Sequence, residues 1–200
     1  TATAIDTGYR HTCALLDNAS VKCWGYGAKG QLGLGNTDDI GDNSSEMGDN
    51  LTSIDLGTDR TATVIDTGYD HTCALLDNAS VKCWGRNIYG QLGKGNNDSL
   101  GDDANEMGDN LTSIDLGTGR TATAISAGYR HTCALLDNAS VKCWGSGALG
   151  KLGQGNTTNI SNQPSEQGDN LPSTDLGTGR TATAISAGYR HTCALLDNAS

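Results

Sequence analysis

The sequence predicts an all-β chain of repeated, four-stranded, propeller-type units, and three observations carry that fold class. Residues 11–25, His-Thr-Cys-Ala-Leu-Leu-Asp-Asn-Ala-Ser-Val-Lys-Cys-Trp-Gly, recur unchanged at 71–85 and 131–145 and begin again at His191, a period of 60 residues. A period of that size marks a propeller, a solenoid or a tandem array. No window holds apolar residues at the i, i+3, i+4, i+7 spacing of an amphipathic helix. Finally, 28 glycines and no phenylalanine describe short strands joined by glycine turns.

Each repeat opens on a short β-branched strand, Thr1-Ala-Thr-Ala-Ile5 in the first, and turns at Gly8. The invariant unit then reads as a hairpin around Asp17-Asn18-Ala19. A three-residue loop sets Leu16 opposite Ser20, Leu15 opposite Val21 and Cys13 opposite Cys23. Alternation by two puts Leu15, Val21, Cys13 and Cys23 on one face. Such a loop favours glycine at its last, left-handed position, where Ala19 costs ~1 kcal/mol. After Trp24, Gly30-Gln-Leu-Gly33 makes a bend with one buried leucine. Residues 26–47 diverge between copies and read as a surface loop. Ile54-Asp-Leu-Gly57 supplies a fourth strand, at an edge because the third copy carries Pro172 nearby. The repeats therefore divide as 1–60, 61–120 and 121–180, with 181–200 the start of a fourth.

Composition removes whole function classes. A formal net charge of −10 and a pI near 4.6 repel phosphates, which argues against nucleic acid as a partner. No apolar run is long enough for membrane insertion. The cysteines stand at 13, 23, 73, 83, 133, 143 and 193. Cys13–Cys23, Cys73–Cys83 and Cys133–Cys143 read as hairpin disulfides, which places the chain in an oxidising, extracellular or cell-surface setting. Cys193 would find its partner beyond residue 200, so we expect the sequence to be a window on a longer array. Two other readings of the pairs are reduced, buried thiols and zinc held by His11, Cys13 and Cys23. The latter offers three ligands and lacks the close CxxC spacing of structural zinc sites.

Gly8-Tyr-Arg-His-Thr-Cys-Ala-Leu-Leu, then Val21-Lys-Cys-Trp-Gly25, then Gly30-Gln-Leu-Gly33-Leu-Gly35 resemble the repeat of the RCC1 (regulator of chromosome condensation) superfamily. The likeness is greatest to its secreted, cysteine-containing tandem version. That resemblance implies four-stranded blades around an axis, with blade and sequence repeat out of phase. It implies either part of a closed β-propeller, usually of seven blades, or an open array. The residues for nucleotide exchange and nucleosome binding in the family have no counterpart that we can match here.

Ten of the 16 asparagines lie in Asn-x-Ser/Thr sequons: Asn18, Asn43, Asn50, Asn78, Asn97, Asn110, Asn138, Asn156, Asn159 and Asn198. In a secreted chain these are glycan acceptors, with the loop positions 43, 97 and 156 favoured as the more exposed. Asn18 and its copies serve equally well as turn formers. The histidines at 11, 71, 131 and 191 lack a nucleophile at catalytic spacing and read as structural bonds between strands. Tyr9 and Trp24 read as packing residues, and Asp38, Asp39, Asp42 and Asp49 as a solvated loop in preference to a calcium site. No metal, cofactor or catalytic residue is expected. The expected function is an extracellular structural scaffold that assembles with itself, through neighbouring repeats or chains, possible glycans being its other partners. The alternative is a closed propeller that uses loops 26–47 to bind a protein or glycan.

Overall fold

The computed structural model describes residues 1–198. Each repeat contributes an antiparallel meander. In the first, β1 (Ala2–Thr7), β2 (His11–Leu16) and β3 (Val21–Gly25) lie side by side in that order. The second is β4 (Ala62–Thr67), β5 (His71–Leu76) and β6 (Val81–Gly85), and the third β7 (Ala122–Ala127), β8 (His131–Leu136) and β9 (Val141–Gly145). Strands β10 (Ala182–Ala187) and β11 (Thr192–Leu196) begin another.

The hairpin has the register that its alternation demands, with Leu15 opposite Val21 and Cys13 opposite Cys23. Its loop closes through Leu16 N to Ser20 O and Ala19 N to Leu16 O, both 2.9 Å. Ala19 does adopt the left-handed region, with φ 61°. Asn18 offsets that strain by accepting, at Oδ1, from Ser20 N at 3.1 Å and Ser20 Oγ at 2.8 Å.

The outermost position of each sheet differs from a laddered strand. Residues 52–56 run extended beside β3 but are tied by one backbone bond, Ile54 N to Val21 O at 2.8 Å. Ile114 to Val81 and Thr174 to Val141 repeat it at the same distance. The reason is local: the Asp55 carbonyl turns away to accept from Gly108 N, 3.1 Å away in the next repeat. Single 3-10 turns at Gly48–Asn50, Gly108–Asn110 and Gly168–Asn170 lead into this segment.

Because side chains alternate across a strand, every sheet has two faces, and both are used. Cys13, Leu15, Val21 and Cys23 face forward and form one cluster with Ala74, Leu76 and Trp84 on the rear face of the next sheet. The same interdigitation joins the second repeat to the third around Trp144. The core thus lies between sheets, and no repeat buries its faces alone. Trp84 and Trp144 are fully buried, whereas Trp24, in the first sheet, is half-buried. Truncating the buried ring opens a cavity and removes one of the two hydrogen bonds that the Gln31 carbonyl accepts. Trp84→Ala is therefore expected to cost about 3–5 kcal/mol, read as a lower urea midpoint, while Trp24→Ala costs less than half as much.

Candidate functional site

The chemistry of this chain concentrates at the seams between repeats. At the first, His11 Nε2 lies 2.8 Å from Thr72 Oγ1, and Thr72 Oγ1 donates to the Gln31 carbonyl at 2.9 Å. Trp84 Nε1 donates to the same carbonyl at 3.1 Å. One main-chain oxygen in the Gly-Gln-Leu-Gly bend therefore ties down two side chains of the next repeat. The second seam copies this with His71 and Thr132 at 2.9 Å, and with Thr132 and Trp144 on Gln91 O at 2.9 and 3.0 Å. At the third, His131 meets Thr192 at 2.9 Å and Thr192 donates to Lys151 O at 2.8 Å. Because the bond uses the backbone, Lys151 in place of glutamine keeps it.

The proton bookkeeping decides what these histidines do. The threonine proton goes to a carbonyl, so the imidazole must donate Nε2–H to the hydroxyl, which excludes it as a base toward that oxygen. Nδ1 of His11, His71 and His131 is then a bare acceptor, buried without a hydrogen-bond partner. Burial disfavours the charged ring and lowers His71 to about 3 and His11 and His131 to about 4. Gly68 makes room for this arrangement: a Cβ there would sit 2.1 Å from His71 Cε1 and 2.5 Å from Gly128 O.

Three further links cross the first two seams, and one of them recurs at the third. The Lys82 ammonium, on the rear face of β6, donates to Leu56 O at 2.8 Å and Gly108 O at 2.9 Å. Asp109 accepts from Thr58 N at 2.8 Å and Thr58 Oγ1 at 2.6 Å, and these bonds hold its carboxyl below the usual range. On the inner strands, Asp6 Oδ2 accepts from Thr67 N at 2.5 Å and Asp66 Oδ1 from Ala127 N at 2.7 Å. Ser126 takes the same place against Ala187 N at 2.9 Å. Burial, with the Asp6 charge as a lesser contribution, pushes Asp66 up to about 7 against the Ala127 bond.

Behind the histidines lie the disulfides Cys13–Cys23, Cys73–Cys83 and Cys133–Cys143, each with Cα atoms 4.1 Å apart. All six sulfurs are committed to sulfur, which removes zinc ligation by His11, Cys13 and Cys23. Cys193 is exposed as a free thiol. Among the described residues no three His, Cys, Asp or Glu side chains converge as a metal cluster. The loop carboxylates instead lock backbone: Asp39 accepts from Gly27 N at 2.8 Å and Glu46 from Gly41 N at 2.8 Å.

The sequons fall into two geometric groups. Asn18, Asn78 and Asn138 stand exposed at the hairpin tips, and their Oδ1 atoms accept from the sequon serine hydroxyl at 2.7–2.8 Å. Asn43, Asn50, Asn110 and Asn156 spend Nδ2 on donation to loop oxygens. Asn159 Oδ1 accepts from Gly147 N at 3.1 Å, and Asn97 is exposed. Asn198 is exposed at the last described turn, and the rest of its sequon lies outside the described residues.

Sequence reasoning placed the hairpin face but missed Thr72, the Gln31 carbonyl and Lys82. Their signal was present: Thr72, Ala74 and Trp84 occupy the opposite alternation from Cys73, so a sheet with two invariant faces must be covered on both.

The RCC1 (regulator of chromosome condensation) repeat model matches residues 2–31, 63–91 and 122–151, and a second model of that repeat matches 140–195. The chain belongs to the RCC1 repeat family. Among curated relatives of this RCC1-repeat chain, the human probable E3 ubiquitin-protein ligase HERC4 is 30% identical over 94% of it and 16% of that protein. The Arabidopsis thaliana ultraviolet-B receptor UVR8 is 28% identical over 74% of the chain and 30% of its own length. The chain thus spans less than a third of either relative. In structure it matches Prp20p of Saccharomyces cerevisiae with a TM-score of 0.69 and 16% identity, over 96% of this chain and 43% of that one. The CRINKLY ectodomain of the Arabidopsis thaliana receptor kinase ACR4 gives 0.50 and 18%, over 98% and 46%. Both likenesses establish the fold.

Proposed function

We propose that this RCC1-repeat chain is an extracellular structural scaffold in which each repeat docks to the next through the same seam, and copies assemble end to end. The observation that carries the reading is the uniformity of that seam: histidine to threonine distances of 2.8, 2.9 and 2.9 Å recur at 61-residue separation. A recognition surface needs one distinctive site, whereas a scaffold needs one interface repeated, and a head-to-tail contact that does not close propagates as a filament. Three disulfides support an oxidising location. In a glycosylating host the hairpin-tip asparagines 18, 78 and 138 are the acceptors best presented, which sets one glycan per repeat along a single edge. They stand ahead of the loop positions Asn43 and Asn156, whose amides are already engaged, while Asn97 remains an exposed acceptor.

Negative-stain microscopy of purified chain over a concentration series tests the proposal. Stacked or filamentous particles that lengthen with concentration are expected. Discrete, non-stacking rings would refute it and favour a closed propeller that binds a partner through loops 26–47. Those loops flank a groove of about 530 Å³ at Leu34, Asp55, Met107 and Asp109.

A further inference from the structure

One feature of the fold lies outside the seam network: a ladder of tyrosines, one from each repeat, at the turn after every inner strand. Tyr9 and Tyr69 stack with ring centroids 4.2 Å apart and planes inclined by 16°. Tyr129 and Tyr189 stack at 4.1 Å and 26°. Between the two pairs, Tyr69 and Tyr129 meet edge to face, at 4.4 Å and 82°. Stacked rings with centroids 4.2 and 4.1 Å apart place carbons of the two phenols in van der Waals contact. Tyr9 and Tyr189 are 56% and 52% exposed, open to a reagent in solution. Arg10 lies 5.1 Å from the Tyr9 ring centre and Arg190 5.2 Å from that of Tyr189. A guanidinium there opposes a radical cation and favours loss of the phenolic proton once an electron has left.

We propose that the ladder is an oxidative modification site at which a haem peroxidase with hydrogen peroxide couples Tyr9 to Tyr69 and Tyr129 to Tyr189. Each phenol gives up one electron and one proton, and the two phenoxyl radicals join through their ortho carbons. The ortho hydrogens then shift to the oxygens and restore both phenols. The net loss is two hydrogen atoms per link, and one peroxide is reduced to two waters. The product is a covalent staple across a repeat seam, complementary to the disulfides, which close hairpins within repeats. The inference rests on the ladder geometry and holds whether or not the chain assembles with itself.

Tyr26 and Tyr89 are internal controls, since each lies near an arginine, Arg10 at 5.4 Å and Arg130 at 4.8 Å, but stacks on no tyrosine among the described residues. The test is treatment of dilute chain with horseradish peroxidase and peroxide, followed by dityrosine fluorescence, intact mass and peptide mapping. The expected result is a monomeric product lighter by two hydrogens per link, with Tyr9–Tyr69 and Tyr129–Tyr189 as the mapped pairs. Tyr69→Phe should abolish the first link and keep the second, and the exposed Tyr9→Phe, which does not threaten folding, should do the same. Predominant coupling through Tyr26 or Tyr89, predominant cross-linking between chains, or a native yield no higher than that of the urea-unfolded chain would overturn the proposal.

Discussion

Acidification from pH 7 to pH 4 is expected to unfold the chain cooperatively, with a loss of several kcal/mol of stability. His11, His71 and His131 remain neutral in the seams, with values lowered to about 4, 3 and 4, whereas in the unfolded chain they titrate near 6.5. Between those limits the unfolded state binds more protons than the folded state, so stability is fully present above about pH 6.5 and drains as the pH falls. Each histidine contributes about 3 kcal/mol to that loss between pH 7 and pH 4. Asp66 acts in the opposite sense. Raised to about 7, it resists ionisation in the folded state, so its burial costs about 4 kcal/mol near neutrality and that cost is relieved as the pH falls toward 4. Three histidines outweigh one carboxyl, and the net slope is destabilising in acid. Urea denaturation at pH 7, 6, 5 and 4 reads the slope directly. Asp66→Asn should raise stability at pH 7 and make the acid loss steeper.

Reduction of the disulfides is the second large effect. Each bond closes a loop of about ten residues, and removing it frees the unfolded chain by roughly 3 kcal/mol per hairpin. All six sulfur-bearing residues are at most 1% exposed, so a thiol reagent must wait for the sheet to open. Dithiothreitol at neutral pH should therefore act slowly on the folded chain and quickly in urea. Once reduced, the chain should unfold at a much lower urea concentration. Cys73→Ser with Cys83→Ser isolates one seam: a loss of about 3 kcal/mol is expected, plus the cost of two hydroxyls placed in an apolar cluster.

How much of this was legible in the sequence follows from what kind of information each residue carries. The hairpin register follows from alternation and from Cys13 and Cys23 ten positions apart, both local properties. Ala19 was read as a misfit in a left-handed turn and does occupy one, with φ 61°, because Asn18 and Ser20 bond around it. The fourth strand was read from Ile54-Asp-Leu-Gly57 as an edge strand, yet its Asp55 carbonyl answers to the next repeat, and propensity carries no record of that. His11 was read as a structural bond between strands. Its partner Thr72, 61 residues on, follows from the stagger of one sheet on the next. Lys82 went unread for a related reason: it is 6% exposed and donates to two carbonyls of adjoining loops, each 26 residues away.

The account stands on neutral imidazoles that donate through Nε2 across every seam. Long-range ¹H–¹⁵N correlation spectra of the histidine rings, recorded from pH 7 to pH 5, test this directly. Three rings that carry their proton on Nε2 alone and do not change over that range are the predicted result. Rings protonated on Nδ1, or charged by pH 6 with the fold intact, would contradict it.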